Sequence, residues 1–559
     1  MTAGNGCQPW FERDPRLLEE QAQILNSAGF KLNEDALNRE QRIVFTGSLK
    51  ADPDRQLVVA FPEAFPSSAP KIYDTPASKL LSRHHRTDTR QLCLFGFNER
   101  RWSATLTVAN ALVEAEELIA KFKESGAEAG DQPPEPITRA IPYVQGAAVL
   151  VPPRISTFND FEKLKLPTGK FTGKFVHEVD PKKGTQGRGI ILEAYFGDKK
   201  LECARPFHNY LTGGRQIHGD WFYLPTPPTQ EGLQGTLKEC LRQCKLKKAD
   251  FYWIALIFRE EVKKADDLRL TWLVARASSD GKFHVLRTFP YLQQERYARI
   301  PGLEGLGEKR VALIGCGSLG SKIAANLAAS GVSRFLLVDC DYFEPNNSVR
   351  HELGVECFGL NKEIALLNRL CSLNPAVADG SRFFTFQVAS FNPFAAEQQF
   401  FEFFRDSDLV IDATAVHSVS HFLNERSFEL RVPTLFVSVT NGAWGGEVVR
   451  VIPGKTPCWL CWQDEYYDIK PPSAPEAAAE IFAPGCDQPT FTGTTYELGM
   501  VANLATSMAV DTLLGGGDLS KNYIRWSGKD ETGRPIYLTE TLKTNHQKEC
   551  HLCGSQYGI

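Results

Sequence analysis

Arg310–Ile314, RVALI, is a short apolar run that leads into Gly315-Cys316-Gly317-Ser318-Leu319-Gly320 and on into Ser321–Ala329, SKIAANLAA. That order predicts a buried strand, a glycine turn and a helix. Glycines at the first, third and sixth places of such a turn let the backbone approach a polyphosphate at the helix N-terminus, where free N–H groups and the helix dipole favour anions. A second apolar run, Phe335–Val338, ends in Asp339-Cys340-Asp341. Asp339 lies about 20 residues beyond the glycines, where nucleotide-binding folds grip a ribose hydroxyl. Gly315, Gly317 and Gly320 thus mark a nucleotide site. The turn alone suits a nicotinamide cofactor as well as ATP.

The segments after Asp341 favour ATP. Asn346-Asn347-Ser348-Val349-Arg350-His351 comes next, then Gly359-Leu360-Asn361-Lys362 opening a helix to Leu373. Farther on, the buried run Leu409–Ile411 ends at Asp412-Ala413-Thr414. An arginine, a lysine and another strand-end acid converging on one phosphate turn serve phosphoryl chemistry, in which cations neutralise phosphate charge and an acid holds Mg²⁺. Strand and helix signals alternate from about residue 291, which predicts a mostly parallel, doubly wound sheet.

These motifs, GCGSLG, VDCDYFEPNNSVRHELG, GLNK and DAT, together resemble the adenylating enzymes of the E1, ThiF and MoeB superfamily. Arg296-Tyr297-Ala298-Arg299-Ile300 is similar to that family's RYxRQ motif ahead of the first strand. The resemblance implies that Asp339 contacts the ribose, with Asp341 beside it. It implies that Asn347, Arg350 and Lys362 handle phosphates, and that Asp412 holds Mg²⁺. Arg299 would reach the nucleotide, in relatives across a homodimer interface. His351 stands where relatives usually have Gln. The chemistry implied is attack of a carboxylate on the α-phosphate of ATP, giving a mixed anhydride with a good leaving group.

The 14 cysteines divide by context. Cys458-Trp-Leu-Cys461 and Cys550-His-Leu-Cys553 have the spacing of a tetrahedral Cys₄ Zn²⁺ site. Cys486 lies in FAPGCDQPTFTG, a Pro- and Gly-punctuated loop ahead of a helix starting near Glu497. That setting suits a thiolate nucleophile, and in the resembled enzymes a cysteine at this place receives the acyl group. Cys316, Cys340, Cys357 and Cys371 read as packing residues of the nucleotide fold, and Cys203, Cys240 and Cys244 as core thiols.

Residues 1–124 hold the strands Gln56–Ala60 and Lys71–Tyr73, separated by Phe61-Pro62-Glu-Ala-Phe65-Pro66-Ser-Ser-Ala-Pro70. After them come His84-His85, Leu92-Cys93-Leu94, Trp102 and an amphipathic helix, Thr105–Phe122. The spaced prolines, the histidine before Cys93 and the tryptophan after it resemble the E2 (UBC-like) α+β fold, in which Cys93 would be a second thioester nucleophile. Where E2 enzymes carry His-Pro-Asn, this chain has His85-Arg86-Thr87, so another group must assist the acceptor step, or that step differs. Residues 125–140, rich in Gly, Pro, Ala and acid, read as a linker. Residues 141–290 read as a middle α+β domain with strands at Gly189–Tyr195 and Phe251–Phe258, a helix at Leu233–Cys244 and no constellation that carries chemistry. Residues 291–559 form the Rossmann-like adenylation domain.

A net charge of -4 over 559 residues gives no reason to expect nucleic acid as the main partner. The N-terminus lacks a signal peptide and no apolar run suits a bilayer, so a cytoplasmic protein is expected. The domain order resembles the fused E2–E1 proteins of bacterial antiphage (CBASS-type) operons. In that case a donor with a free C-terminus, a cGAS-like nucleotidyltransferase or a ubiquitin-like protein, would be adenylated. It would then move to Cys486 and Cys93, and finally to an acceptor amine. A sulfur-transfer adenylyltransferase of the ThiF or MoeB type, or a scaffold with an inert E2-like module, are the competing readings.

Overall fold

A computed structural model describes residues 8–75, 85–86, 90–92, 94–95, 100–125, 143–144, 146–158, 160–161, 167–180, 184–203, 207, 211, 213–228, 232–244, 251–261, 268–278, 281–292, 296–385, 404–466, 469–475 and 491–554. The chain divides into two compact units. One comprises residues 1–203 with 211–291, and the other residues 204–210 with 292–559.

The first unit contains two sheets. An antiparallel sheet of six strands, from Lys31–Leu32 to Gln91–Leu92, packs against helices Pro15–Ser27 and Val108–Ser125. The prolines between its strands bring aromatic rings together. Trp10 lies 4.9 Å from Phe65, Phe65 lies 4.9 Å from Phe61, and Trp102 donates its indole N–H to the Pro66 carbonyl at 2.8 Å. Leu92 and Phe95, on either side of Cys93, are buried in this core. Cys93 itself, His84 and Thr87 lie outside the described residues, as does the linker beyond residue 125.

The second sheet closes on itself. The long strands Thr168–Asp180 and Gly184–Phe196 pair with each other, and each also pairs with the rest of the sheet, so seven strands form a ring. Trp221, Trp272, Phe171 and Phe196 fill one apolar cluster of the sheet, and helix Leu233–Gln243 belongs to another with Leu256 and Phe258. Closure removes exposed strand edges. Cys203 and Cys240 are buried and Cys244 half-buried, as core thiols should be.

In the second unit the strands are β1 (Arg310–Ile314), β2 (Arg334–Asp339), β3 (Arg382–Thr385), β4 (Leu409–Asp412), β5 (Thr434–Val439), β6 (Gly445–Val451), β7 (Tyr523–Lys529) and β8 (Pro535–Leu542). They lie in the order 3-2-1-4-5-6-7-8. β3, β2, β1, β4 and β5 are parallel, and the remaining pairs are antiparallel. Both faces are covered. Val311, Leu313 and Ile411 point toward helices α1 (Ser318–Ser330), α2 (Lys362–Leu373) and α5 (Thr495–Leu513). Ala312, Ile314 and Val410 point toward α3 (His417–Leu430) and α4 (Trp459–Tyr466). A strand buried on both faces needs an unbroken apolar run, which VALI (Val311–Ile314) and LVI (Leu409–Ile411) provide. Strand order reverses at β1, so a crevice opens at the C-terminal ends of β1 and β4.

Candidate nucleotide and cysteine sites

Parallel register sets Ile314 beside Val338 and Asp412, so the residues that leave β1, β2 and β4 share one edge. The three glycines there have different reasons. Gly315 has φ +90°, and a Cβ on it would lie 2.9 Å from the Ala413 carbonyl. A Cβ on Gly320 would lie 2.0 Å from the Gly315 carbonyl oxygen, because α1 starts pressed onto the turn. Gly317 has φ -74° and a Cβ there would meet nothing within 4 Å. It sits at the N-cap of α1, where it makes no side-chain cap. The first-turn amides of α1 are therefore presented to open space, the arrangement that binds anions.

Asp339 braces this turn. One oxygen accepts the Cys316 N–H at 2.6 Å, and the other accepts the Cys340 and Asp341 amides at 2.8 and 3.0 Å. Lys362 opens α2 and reaches back to Asp341, with Nζ 2.7 Å from the carboxylate. The Lys362 amide donates to the Asp341 carbonyl at 3.0 Å, which fixes the approach. Arg350 donates from Nε to Ser318 Oγ at 3.1 Å, at the start of α1. Its Nη1 donates to the Phe491 carbonyl and its guanidinium lies 5.5 Å from the Phe491 ring. The structure thus brings Arg350, Asp339, Asp341 and Lys362 to the glycine turn or the strand end beside it.

The other expected site residues have the following surroundings. Asn347 uses Oδ1 to accept the Glu344 amide at 3.1 Å within a capping box. Arg299 is exposed. In the same stretch Arg296 caps the end of α1, donating to the Ala328 and Ala329 carbonyls. Asp412 is only 2% exposed. It accepts bonds from the Thr414 amide and hydroxyl at 3.0 and 2.7 Å and from Ser420 Oγ at 2.6 Å, and burial raises its pKa. Both oxygens of this carboxylate, the expected Mg²⁺ ligand, thus accept hydrogen bonds within the turn and helix that follow β4. Asp339 and Asp341 are more open and, with Cys340, have ligand atoms within 4.8 Å of one another. Cys340, expected as a packing residue, is exposed, and burial with the Asp341 charge raises its thiol to about 11. Cys316 is fully buried, and desolvation holds it well above the ordinary thiol range.

The four expected metal cysteines converge although 92 residues separate the pairs. Sγ of Cys458 lies 3.8 Å from Cys461 and 3.5 Å from Cys550, and Cys461 lies 3.4 Å from Cys553. A ZnS₄ tetrahedron with Zn–S bonds of about 2.3 Å has edges near 3.8 Å, so the set fits that ion. The Gln547 amide points at Cys461 Sγ at 3.4 Å, a further N–H contact that supports thiolate charge. Hydrogen bonding from Cys553 lowers the Cys458 thiol below its usual range, while Cys553 is raised above its own. Cys486 lies outside the described residues, whereas Phe491–Thr494, the approach to α5, lies within them.

Sequence reasoning did not assign a role to Glu363, which comes directly after Lys362. It is fully buried, one oxygen takes the Thr385 hydroxyl, and burial raises its pKa. Nothing in its one-dimensional context marks it.

Residues 291–552 match the ThiF family. The C-terminal domain is ThiF/E1-like. An uncharacterized protein y4qC of Sinorhizobium fredii is 26% identical over 89% of this chain and 89% of its own length. The ATP-dependent ubiquitin transferase-like protein Cap2 of Vibrio cholerae is 46% identical over 12% of this chain and 13% of that protein. Escherichia coli MccB with ATP, a solved structure, aligns over 46% of this chain and 74% of that one, at 16% identity and a TM-score of 0.35. Among the described residues no helix is long and apolar enough to cross a membrane. The ThiF/E1-like domain therefore carries both the glycine turn and the Cys₄ cluster.

Proposed function

We propose that this chain uses ATP to adenylate the C-terminal carboxylate of a donor protein and relays the acyl group through Cys486 and Cys93 to an acceptor amine. The observation that carries the first half is the convergence of Arg350, Lys362 and uncapped α1 amides on the crevice at β1 and β4. ATP supplies the leaving group. The chain's own groups orient its phosphates and balance their charge. In this reading Asp339 grips the ribose, with Asp341 beside it, and Asp412 holds Mg²⁺. Cys458, Cys461, Cys550 and Cys553 hold Zn²⁺ and tie the C-terminal segment to the domain.

The relay rests on the E2-like pattern around Cys93, on Cys486 in the segment before α5, and on the similarity to Cap2, whose name describes an ATP-dependent ubiquitin transferase-like protein. A thioester keeps the acyl group activated after AMP leaves, so the acceptor search need not occupy the ATP site. The donor is a cGAS-like nucleotidyltransferase or a ubiquitin-like protein, and a homodimer in the cytoplasm, with Arg299 serving the partner's nucleotide, completes the reading.

The test incubates the chain with proteins encoded beside it and Mg-ATP, then compares reducing and non-reducing gels. Wild type should give a reductant-sensitive adduct that is absent from Cys486→Ala. Its transfer onward should fail in Cys93→Ala. Conversion of ATP to AMP and pyrophosphate with no adduct on either cysteine would overturn the relay and leave adenylation alone.

A further inference from the structure

His351 is buried, 6% exposed, between the glycine turn and Phe343. Its Nδ1 accepts the Leu353 N–H at 3.2 Å. A neutral imidazole that accepts at Nδ1 must carry its proton on Nε2. That nitrogen lies 2.7 Å from the Cys316 carbonyl oxygen, so Nε2–H donates to it. Both polar backbone groups of Cys316 are then fixed, its N–H by Asp339 and its C=O by His351.

Peptide geometry carries this constraint to the next residue. The C=O of one residue and the N–H of the next point in opposite directions across a planar trans peptide. Holding the Cys316 carbonyl toward His351 therefore turns the Gly317 N–H the other way. Gly317 is where a Cβ would meet only open space, and the α1 amides begin there. A donor on the opposite side of the peptide thus sets the direction of the first anion-binding amide. Charged imidazole is not needed for this, and burial lowers the His351 pKa to about 4. Lys362 and Lys322 also disfavour its protonation, while Glu352 and the Cys316 carbonyl favour it.

We infer that His351 is a positioning residue for the nucleotide. As a neutral Nε2–H donor it holds the Cys316–Gly317 peptide so that the Gly317 amide faces the polyphosphate. This inference rests on the nucleotide reading of the glycine turn. It requires a hydrogen-bond donor at position 351, which Gln supplies and Leu does not.

The experiment measures binding of Mg-ATP to the full chain by calorimetry for wild type, His351→Gln and His351→Leu, with thermal unfolding of each without nucleotide. Misdirecting one charge-assisted hydrogen bond should weaken binding by roughly ten- to a hundredfold in His351→Leu. His351→Gln should stay within about threefold of wild type. Val451→Ala, a fully buried position of β6 in the apolar cluster on the other face of the sheet, controls for lost stability and should bind as wild type does. Between pH 5.5 and 8 the wild-type and His351→Gln binding profiles should superimpose, because the ATP titration is common to both. If no variant, wild type included, binds Mg-ATP, the nucleotide reading itself fails. If wild type binds and His351→Leu binds equally well, the positioning role is refuted. Should His351→Leu not fold, a pH inflection present in wild type and absent from His351→Gln refutes it independently.

Discussion

Two glycines three residues apart should respond to the same substitution in opposite ways. In Gly320→Ala the new methyl would lie 2.0 Å from the Gly315 carbonyl oxygen, with Ala413 Cβ at 3.3 Å behind it. Neither neighbour is a flexible side-chain end, so α1 must lift from the turn. Overpacking of this kind costs about 1–3 kcal/mol, or roughly 2–12 °C in the melting temperature of a domain this size. In Gly317→Ala the methyl meets nothing and φ is an ordinary -74°. Loss of unfolded-chain freedom stabilises that variant by up to about 1 kcal/mol and the poorer N-cap costs about as much, so its melting should stay close to wild type. Yet its methyl occupies the space in front of the α1 amides, where a polyphosphate would sit. Losing one such contact corresponds to roughly ten- to a hundredfold in affinity. Calorimetric melting and Mg-ATP titration of both variants separate the effects. A Gly317→Ala protein that binds Mg-ATP as tightly as wild type would refute the placement of the anion over the turn. A Gly320→Ala protein that melts like wild type would refute the tight seating of α1.

The same geometry sets three further expected outcomes. Metal analysis of protein purified without chelator should find one zinc ion per chain, and Cys458→Ser should lose it and melt earlier, since metal affinity is folding free energy; full stability without zinc would contradict a structural role. Because the folded pKa of His351 is lowered to about 4 from 6.5, its stabilising neutrality is fully present above pH 6.5 and is lost as pH falls toward 4. The difference amounts to about 3 kcal/mol, so urea denaturation should show a steeper acid loss in wild type than in His351→Gln. Arg350→Ala removes the ties to the Phe491 carbonyl and ring, so amides near residues 491–494 should exchange faster without nucleotide; unchanged exchange would show that Arg350 does not anchor this segment.

What the sequence made legible was what close packing and strand ends dictate. Gly315 and Gly320 could be read because only glycine tolerates their φ or contact, and Val311–Ile314 because a strand stretch covered on both faces is apolar throughout. The Cys₄ cluster was legible because CxxC spacing presents two thiolates to one ion. The helix at Leu233–Gln243 fell where its periodicity placed it. By contrast, the closed sheet of residues 147–290 was not legible. Closure depends on Thr168–Asp180 pairing along the whole length of Gly184–Phe196, and register between strands leaves no local mark. The state of Asp412 was hidden for a related reason. Its position at a strand end is visible, but the hydrogen bonds that its oxygens accept from Thr414 and Ser420 depend on how the next turn folds back.

His351 shows how these two kinds of knowledge meet. From the sequence it is a departure from the Gln of the resembled enzymes and nothing more. In the structure its two ring nitrogens are distinguished by their partners: the Leu353 amide can only donate and the Cys316 carbonyl can only accept. Those partners select one tautomer, and a tautomer with a single outward donor does the work of an amide N–H. Replacement of Gln by His is then a change of side chain that preserves the hydrogen bond. By the same reasoning a lysine or arginine there would bury an unpaired charge beside Lys362 and Lys322, at a cost that the turn could not offset.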